Sequence, residues 1–320
     1  MDAATPVDPS TIFSAKDLVV AITGGGTGIG LAMTAAVFKT GASKVYILGR
    51  RLQVLEEAAK SLDPAGKTIV PLACDITAPE SIAAAVARIE ADVGYLDVLV
   101  NNAGKIGPPN KAALTAQSIE EVRDALLAGL SSSTSSPTNE FNSTLITNAT
   151  SVVAVSASFL PLLSAANARR GWPITKLEPG DVRRRDVAKG ASAAGVDAAD
   201  HRSSQIITTA SIAGFNRGIT AGVAYSASKA AATHLGKILA TLLVPWGVRS
   251  NVVAPGIYPS AMTGESDAEY ASSAVPLGKK GGFDDIAGLI LYMVGRGGSY
   301  LNGSVQVSDG GRLSGFPSTY

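Results

Sequence analysis

Asp17-Leu18-Val19-Val20-Ala21-Ile22-Thr23 runs without a break into Gly24-Gly25-Gly26-Thr27-Gly28-Ile29-Gly30, and an Ala-rich helical pattern follows through Lys39. The first seven residues are a short, apolar, β-rich run, so the stretch reads as strand, glycine turn and helix. Glycines allow positive φ and let a ligand come close to the main chain, while the first turn of a helix offers unpaired N–H groups and the positive end of its dipole. A pyrophosphate suits such a turn, and the strand-to-helix context is what gives the glycine spacing its meaning. Lys44-Val45-Tyr46-Ile47-Leu48-Gly49 is a second strand, followed by Arg50-Arg51 and a helical stretch over residues 52–62, which completes a βαβ unit. Where such a unit binds NAD, an acidic residue at the end of the second strand meets the ribose hydroxyls. Here Gly49 and Arg50 hold that place, and a guanidinium there suits a 2′-phosphate.

Working outward, residues 68–74 form a third strand ending at Asp75, residues 79–93 a helix, and residues 96–100 a fourth strand ending in Asn101-Asn102-Ala103-Gly104. Repeated β-α units predict an α/β fold with a doubly wound parallel sheet of Rossmann type, whose ligands lie beyond the carboxyl ends of the strands. A Ser-rich stretch with Pro137 then reads as an insertion at about 130–147, and a helix over residues 141–168 carries Asn148. Residues 169–204 hold Pro173, Pro179, an Ala/Gly run and Arg183-Arg184-Arg185. That composition predicts a second, solvated insertion that can be shortened without loss of folding but with a change in substrate selectivity. A fifth strand over 205–210 delivers Ser211, and a helix over 223–244 follows. The sixth strand, 249–254, turns at Pro255-Gly256, a lid-like stretch covers 264–282, and a helix at 284–294 and a strand at 304–308 close the pattern. The expected organisation is one domain over 17–311, a loose leader over 1–16 and a tail over 312–320.

Lys plus Arg number 27 against 26 for Asp plus Glu, a net charge of +1, which speaks against a nucleic-acid binder and for a soluble enzyme with a small-molecule substrate. The one cysteine, Cys74, lies in an apolar run and reads as a buried thiol in a reducing compartment. No basic flank and apolar block mark the N-terminus as a secretory signal, and residues 152–166 are too short an apolar stretch to cross a bilayer, so a cytoplasmic protein without a membrane partner is expected. His201 and His234 have no ligand-like spacing to each other or to Cys74, and no metal site is expected.

Tyr225-Ser226-Ala227-Ser228-Lys229 places a phenol and an ammonium one helical turn apart on a shared face. A phenol that titrates near pH ~10 handles protons at neutral pH with the help of a nearby cation. With Thr23-Gly24-x-x-x-Gly28-x-Gly30, Asn101-Asn102-Ala103-Gly104, Ser211, Tyr225-x-x-x-Lys229 and Pro255-Gly256 in that order, the chain resembles the short-chain dehydrogenase/reductase family over residues 17–311, with a flavour similar to 3-oxoacyl carrier-protein reductases and related ketoreductases. The resemblance implies hydride transfer between NADP(H) and a carbonyl or alcohol carbon of an apolar, acyl or polyketide-like substrate. It assigns Tyr225 the proton, Ser211 a hydrogen bond to the reacting oxygen, Lys229 the nicotinamide ribose and the phenol's acidity, and Asn148 a water that links Lys229 to solvent. It implies a dinucleotide site built from Gly24, Thr27, Gly28, Ile29, Gly30, Arg50, Asp75, Asn102, Ala103, Gly104, Tyr225, Lys229, Pro255 and Gly256. It also implies a homodimer or homotetramer formed through helix 151–166 and the helix of Tyr225.

The chain departs from the family pattern in places. The segment from Ser211 to Tyr225 is about one residue longer than common, which keeps Thr209 as the alternative hydroxyl. Thr27 stands where NADP-preferring members often carry a basic residue, so Arg50 is the main sign of a 2′-phosphate. A protein that keeps the nucleotide site without redox chemistry, a cyclase or scaffold, is the competing reading.

Overall fold

The computed structural model describes residues 8–131, 139–188, 190, 196–260, 263 and 269–320. The strands are β1 (Val19–Thr23), β2 (Lys44–Gly49), β3 (Ile69–Ala73), β4 (Val98–Asn101), β5 (Gln205–Thr209), β6 (Arg249–Pro255) and β7 (Val305–Ser308). They form one sheet in the order β3-β2-β1-β4-β5-β6-β7, every pair parallel. Its helices are α1 (Pro9–Ile12), α2 (Gly28–Lys39), α3 (Leu52–Leu62), α4 (Pro79–Asp92), α5 (Ile119–Leu127), α6 (Glu140–Leu145), α7 (Ser151–Arg169), α8 (Val223–Leu242) and α9 (Phe283–Val294).

Strand period sorts the core into two layers. Val20, Ile22, Val45 and Ile47 face α2, α3 and α9, whereas Val19, Ala21, Tyr46 and Leu48 face α4, α7 and α8. Because all strands run the same way, their carboxyl ends share one edge. The strand order reverses between β1 and β4, and the crevice there is where an open α/β sheet takes a ligand.

Several expectations need correction. The helix read as 141–168 is continuous over Glu140–Arg169, passing from α6 to α7 through a π-turn at Ile146–Thr150. At 30 residues it is long and apolar enough to cross a membrane by length and composition, but half of its apolar window is buried inside the protein, as befits a core helix. The Ser-rich loop is outside the description at 132–138, as is 264–268 of the lid-like stretch.

Residues 8–16, read as part of a loose leader, are tied down. Ala15 is buried, Ser14 Oγ donates to Thr40 O at 3.0 Å, and the Arg202 guanidinium donates to Ser14 O at 3.1 Å and Lys16 O at 3.0 Å. The tail also returns to the body, with Thr319 N–H donating to Phe215 O at 2.9 Å and the rings of Phe215 and Tyr320 meeting edge to face.

The segment read as a solvated insertion over 169–204 is exposed along most of 174–188, but both of its ends are anchored in the protein. Arg170 Nε donates to Asp97 Oδ1 at 2.9 Å and Nη1 to Asp200 Oδ2 at 2.6 Å, and Arg202 Nη2 reaches the same Asp200 oxygen at 2.7 Å. All four side chains are buried. Burial alone would raise Asp200, but Arg202 and Arg170 outweigh it and hold the carboxyl well below the usual range. Arg183 donates to Pro245 O at 2.6 Å and Arg185 to Arg170 O at 2.6 Å, so these arginines clamp main-chain carbonyls. Asp97 lies just before β4 and accepts from Val19 N–H at 2.8 Å, which puts the network at the amino ends of the strands, away from the ligand edge.

Candidate active site

The glycine turn is held by contacts that only glycines allow. Gly24 has φ of 68° and donates its N–H to Leu48 O at 2.6 Å. A Cβ on Gly30 would stand 2.1 Å from Gly24 O and 2.6 Å from Asn102 Nδ2. Thr27, at the start of α2, adopts extended backbone and makes no side-chain cap, so the first-turn N–H groups of the helix are left for a ligand. Across the crevice, Thr23 Oγ1 accepts from Asn102 N–H at 2.9 Å and Ala103 N–H at 3.0 Å, and Asn102 Nδ2 donates to Thr23 O at 3.0 Å. Asn102, which the resemblance assigns to the adenosine ribose region, thus spends its amide on bracing the glycine turn.

A cleft of ≈ 1010 Å³ opens along this edge. It is lined by Gly24, Thr27, Gly28, Ile29, Gly30, Arg50, Asp75, Asn102, Ala103 and Gly104 at one end and by Ser211, Tyr225, Lys229, Pro255 and Gly256 toward the other. Asp75 Oδ1 accepts from Thr77 N–H at 2.9 Å and Thr77 Oγ1 at 2.7 Å; these bonds, ahead of burial and Arg50, set its carboxyl below the usual range. Arg50 is exposed at the rim. The dinucleotide fits this donor set: N–H groups at α2 for a pyrophosphate, cations at Arg50 and Arg51 beside it, and a groove long enough for both halves. Among the described residues no group of three His, Cys, Asp or Glu is placed to hold a metal. Cys74 is a buried part of the cleft wall, its thiol pushed up by burial.

Ser211 and Tyr225 meet at the other end. Burial raises the Tyr225 phenol above its ordinary value, and a hydrogen bond with Ser211 offsets part of that rise. Ser211 Oγ also accepts from Ala213 N–H at 3.2 Å, the bond that caps the short turn after β5. Lys229 is buried and donates from Nζ to Thr209 O at 2.8 Å. Burial pushes its ammonium down to about 8. Both groups are therefore driven toward their neutral forms, with Lys229 Nζ 5.8 Å from the centre of the Tyr225 ring. Thr209, the alternative hydroxyl, serves Lys229 through its carbonyl, and its Oγ1 has no hydrogen-bond partner.

Asn148 does not line the cleft. It stands behind it in the π-turn, where its Oδ1 accepts from Lys105 N–H at 2.8 Å and its Nδ2 donates to Lys105 O at 2.9 Å and Ser228 Oγ at 3.0 Å. One amide thus joins the turn after β4, the long helix and α8. The extra residue of a π-turn, frequent at functional sites, turns that amide inward. Gly104 permits the closeness: a Cβ there would lie 3.0 Å from Asn148 Oδ1 and 3.4 Å from Lys229 Nζ. Sequence reasoning missed Thr23, Ser228 and Lys105. Thr23 opens the glycine motif and Lys105 follows the Asn101-Asn102-Ala103-Gly104 motif, so a role for each could have been found by asking what those motifs must touch; Ser228 carried no signal.

With α8 presenting Tyr225 and Lys229, β5 presenting Ser211 and the crevice floored by glycines, the chain belongs to the short-chain dehydrogenase/reductase family, and is an oxidoreductase of that family. The family model for short chain dehydrogenase matches residues 18–172, and that for enoyl-(acyl carrier protein) reductase matches 184–312. The short-chain dehydrogenase/reductase PhomF of Diaporthe leptostromiformis is 37% identical over 99% of this chain and 100% of its own. VdtF of Byssochlamys spectabilis, of the same description, is 36% identical over 97% of each. Among solved structures, the Pseudomonas aeruginosa RhlG/NADP active-site complex superposes with a TM-score of 0.69 at 24% identity, covering 95% of this chain and 99% of that one, a likeness of fold.

Proposed function

We propose that the protein is an NADPH-dependent reductase of ketones. The observation that carries this reading is the convergence of Ser211 and Tyr225 hydroxyls beside Lys229 at the carboxyl edge of the sheet, next to a glycine-lined groove. When bound, the dinucleotide supplies the hydride that goes to the carbonyl carbon. Tyr225 then gives its proton to the oxygen, so that ketone, NADPH and one proton yield alcohol and NADP⁺. A phenol kept protonated by burial is in the state needed to donate, and Ser211 is a preorganised donor to the oxygen as it gains charge. Lys229, charged at neutral pH even with its lowered value, supports the proton's replacement and the sugar nearby. Asn148 positions Lys229's surroundings by holding Ser228 and the turn at Lys105.

The preference for the phosphorylated dinucleotide rests on Gly49, which offers no carboxylate, and on Arg50 beside it at the rim. The RhlG structure named above is an NADP complex, which agrees with this reading. Arg50→Ala is expected to weaken NADPH about tenfold or more, the size of a lost charge-assisted pair, and NADH far less. Equal losses, measured by cofactor fluorescence titration, would contradict the assignment. The catalytic reading is tested by following NADPH oxidation against a panel of aryl and acyl ketones and their α,β-unsaturated counterparts. Reduction of ketones supports it, reduction of the C=C bond alone would move it to enoyl reduction, and NADPH binding without any turnover would favour a redox-inactive protein on this fold. The reading includes self-association through α7 and α8, whose outer faces expose Val153, Ile238 and Leu242; light scattering at a mass of two or four chains would support it.

A further inference from the structure

Lys105 follows directly on Asn102-Ala103-Gly104 and lines the cleft. Its main chain is gripped on both sides by Asn148, with hydrogen bonds of 2.8 and 2.9 Å, so the side chain starts from a fixed point. That side chain is half-buried, and its ammonium donates to Ser143 Oγ of α6 at 3.2 Å. An ammonium has three donors, and a hydroxyl satisfies one of them without neutralising the charge. No described carboxylate forms an ion pair with Lys105, in contrast to Lys176, Lys279 and the buried arginines.

The surroundings add to the imbalance. The other charged side chains on the described substrate-side wall are Lys111, Lys229 and Arg312, all cationic, while the acidic lining residue, Asp75, lies at the adenosine end and is engaged by Thr77. Arg312 donates to Ala274 O at 2.6 Å and stacks on Phe316, so it is partly occupied. A half-buried cation fixed in place, with like charges nearby and no counter-ion, costs stability unless a ligand brings the missing charge. The dinucleotide's own anions have partners elsewhere, at the first turn of α2 and at Arg50, whereas Lys105 leans on α6 across the crevice.

We propose that Lys105 binds a carboxylate of the substrate, making the reducible molecule an oxo acid whose carboxylate sits in the cleft on the α6 side of the carbonyl. The inference deepens the ketoreductase reading and rests on it for the word substrate, but the anion site itself is testable apart from turnover.

Benzoylacetate and its ethyl ester share one ketone and differ by one charge. With NADPH, the wild-type protein is expected to favour the acid over the ester in kcat/KM by about tenfold or more, the yield of one charge-assisted hydrogen bond. Lys105→Met should bring that ratio close to one, and Lys105→Arg should keep most of it. Independently, calorimetry of 3-hydroxy-3-phenylpropanoate with the NADP⁺-loaded protein should show binding that weakens with salt and about tenfold in Lys105→Met. An acid-to-ester ratio that is the same in wild type and Lys105→Met would overturn the proposal, as would a Lys105→Met that weakens NADPH and leaves the ratio alone, since the ammonium would then belong to the dinucleotide. If the wild type reduces neither these ketones nor any of the panel above, the reductase reading fails by itself. The calorimetric comparison then decides Lys105, with equal binding or no binding of the acid counting against it.

Discussion

Lys229 shows at the scale of one residue how the site is built against stability. An unfolded lysine titrates near ~10.4, and the folded value is about 8 because burial penalises the charge. Between those values the unfolded chain holds more protons, so unfolding free energy rises with pH through that window and levels off above it. At pH 7 the protein carries the full cost of a charged, desolvated ammonium. Lys229→Met should therefore make the dinucleotide-free protein more stable than wild type at pH 7, by at most roughly 3 kcal/mol and less what the bond to Thr209 O contributes. The gap should shrink toward pH 10, as read by urea unfolding at a series of pH values. A gap that does not change with pH would mean that Lys229 is not the group under strain. The Tyr-Lys pair was legible in the sequence because it is local, four residues on one helix. The burial that raises the phenol was not, since it depends on what α8 packs against.

At the scale of elements, legibility followed range. β1, the glycine turn and α2 are written in consecutive residues, and Gly30 is demanded by atoms only six residues away, at Gly24 O. The segment between α7 and β5 looked like a loop because its order comes from partners far along the chain. Arg170 and Asp97 are 73 residues apart, Arg170 and Asp200 30 apart, and no periodicity announces them. α5 was missed for a different reason: Ser118 caps it by accepting from Glu121 N–H at 3.2 Å, a Ser-x-x-Glu signal that was present but unread among neighbouring polar residues. The buried network makes a clear prediction. Asp200→Asn leaves Arg170 and Arg202 without their shared counter-charge and should lower stability by about 3–5 kcal/mol, the usual cost of breaking a buried pair. NADPH affinity of the folded variant should change little, because Asp97 and Asp200 lie at the amino ends of the strands. A loss of NADPH affinity at unchanged stability would put the network in the wrong place. Shortening 173–200 should likewise harm folding and leave substrate selectivity alone, the reverse of what composition suggested.

For the molecule as a whole, the parallel sheet separates two jobs. Its amino edge collects the long-range ties, where Arg202 binds residues 14 and 16 and Arg170 binds the start of β4. Its carboxyl edge collects the chemistry, with Gly24 after β1, Asn102 after β4, Ser211 after β5 and Gly256 after β6. That division explains why five short motifs could be read in order while the amino edge could not. The central claim is that Tyr225 supplies the proton in an NADPH-dependent reduction, and Tyr225→Phe removes that oxygen while keeping the ring. The most direct measurement compares wild type and Tyr225→Phe in one experiment, NADPH binding by fluorescence and ketone-dependent NADPH oxidation side by side. The expected result is NADPH affinity within about threefold of wild type, under half a log unit in Kd, with turnover lower by a factor of about 10² or more, the contribution of general acid catalysis. A variant that binds NADPH as well and still turns over at more than about a tenth of the wild-type rate would show that the proton comes from elsewhere.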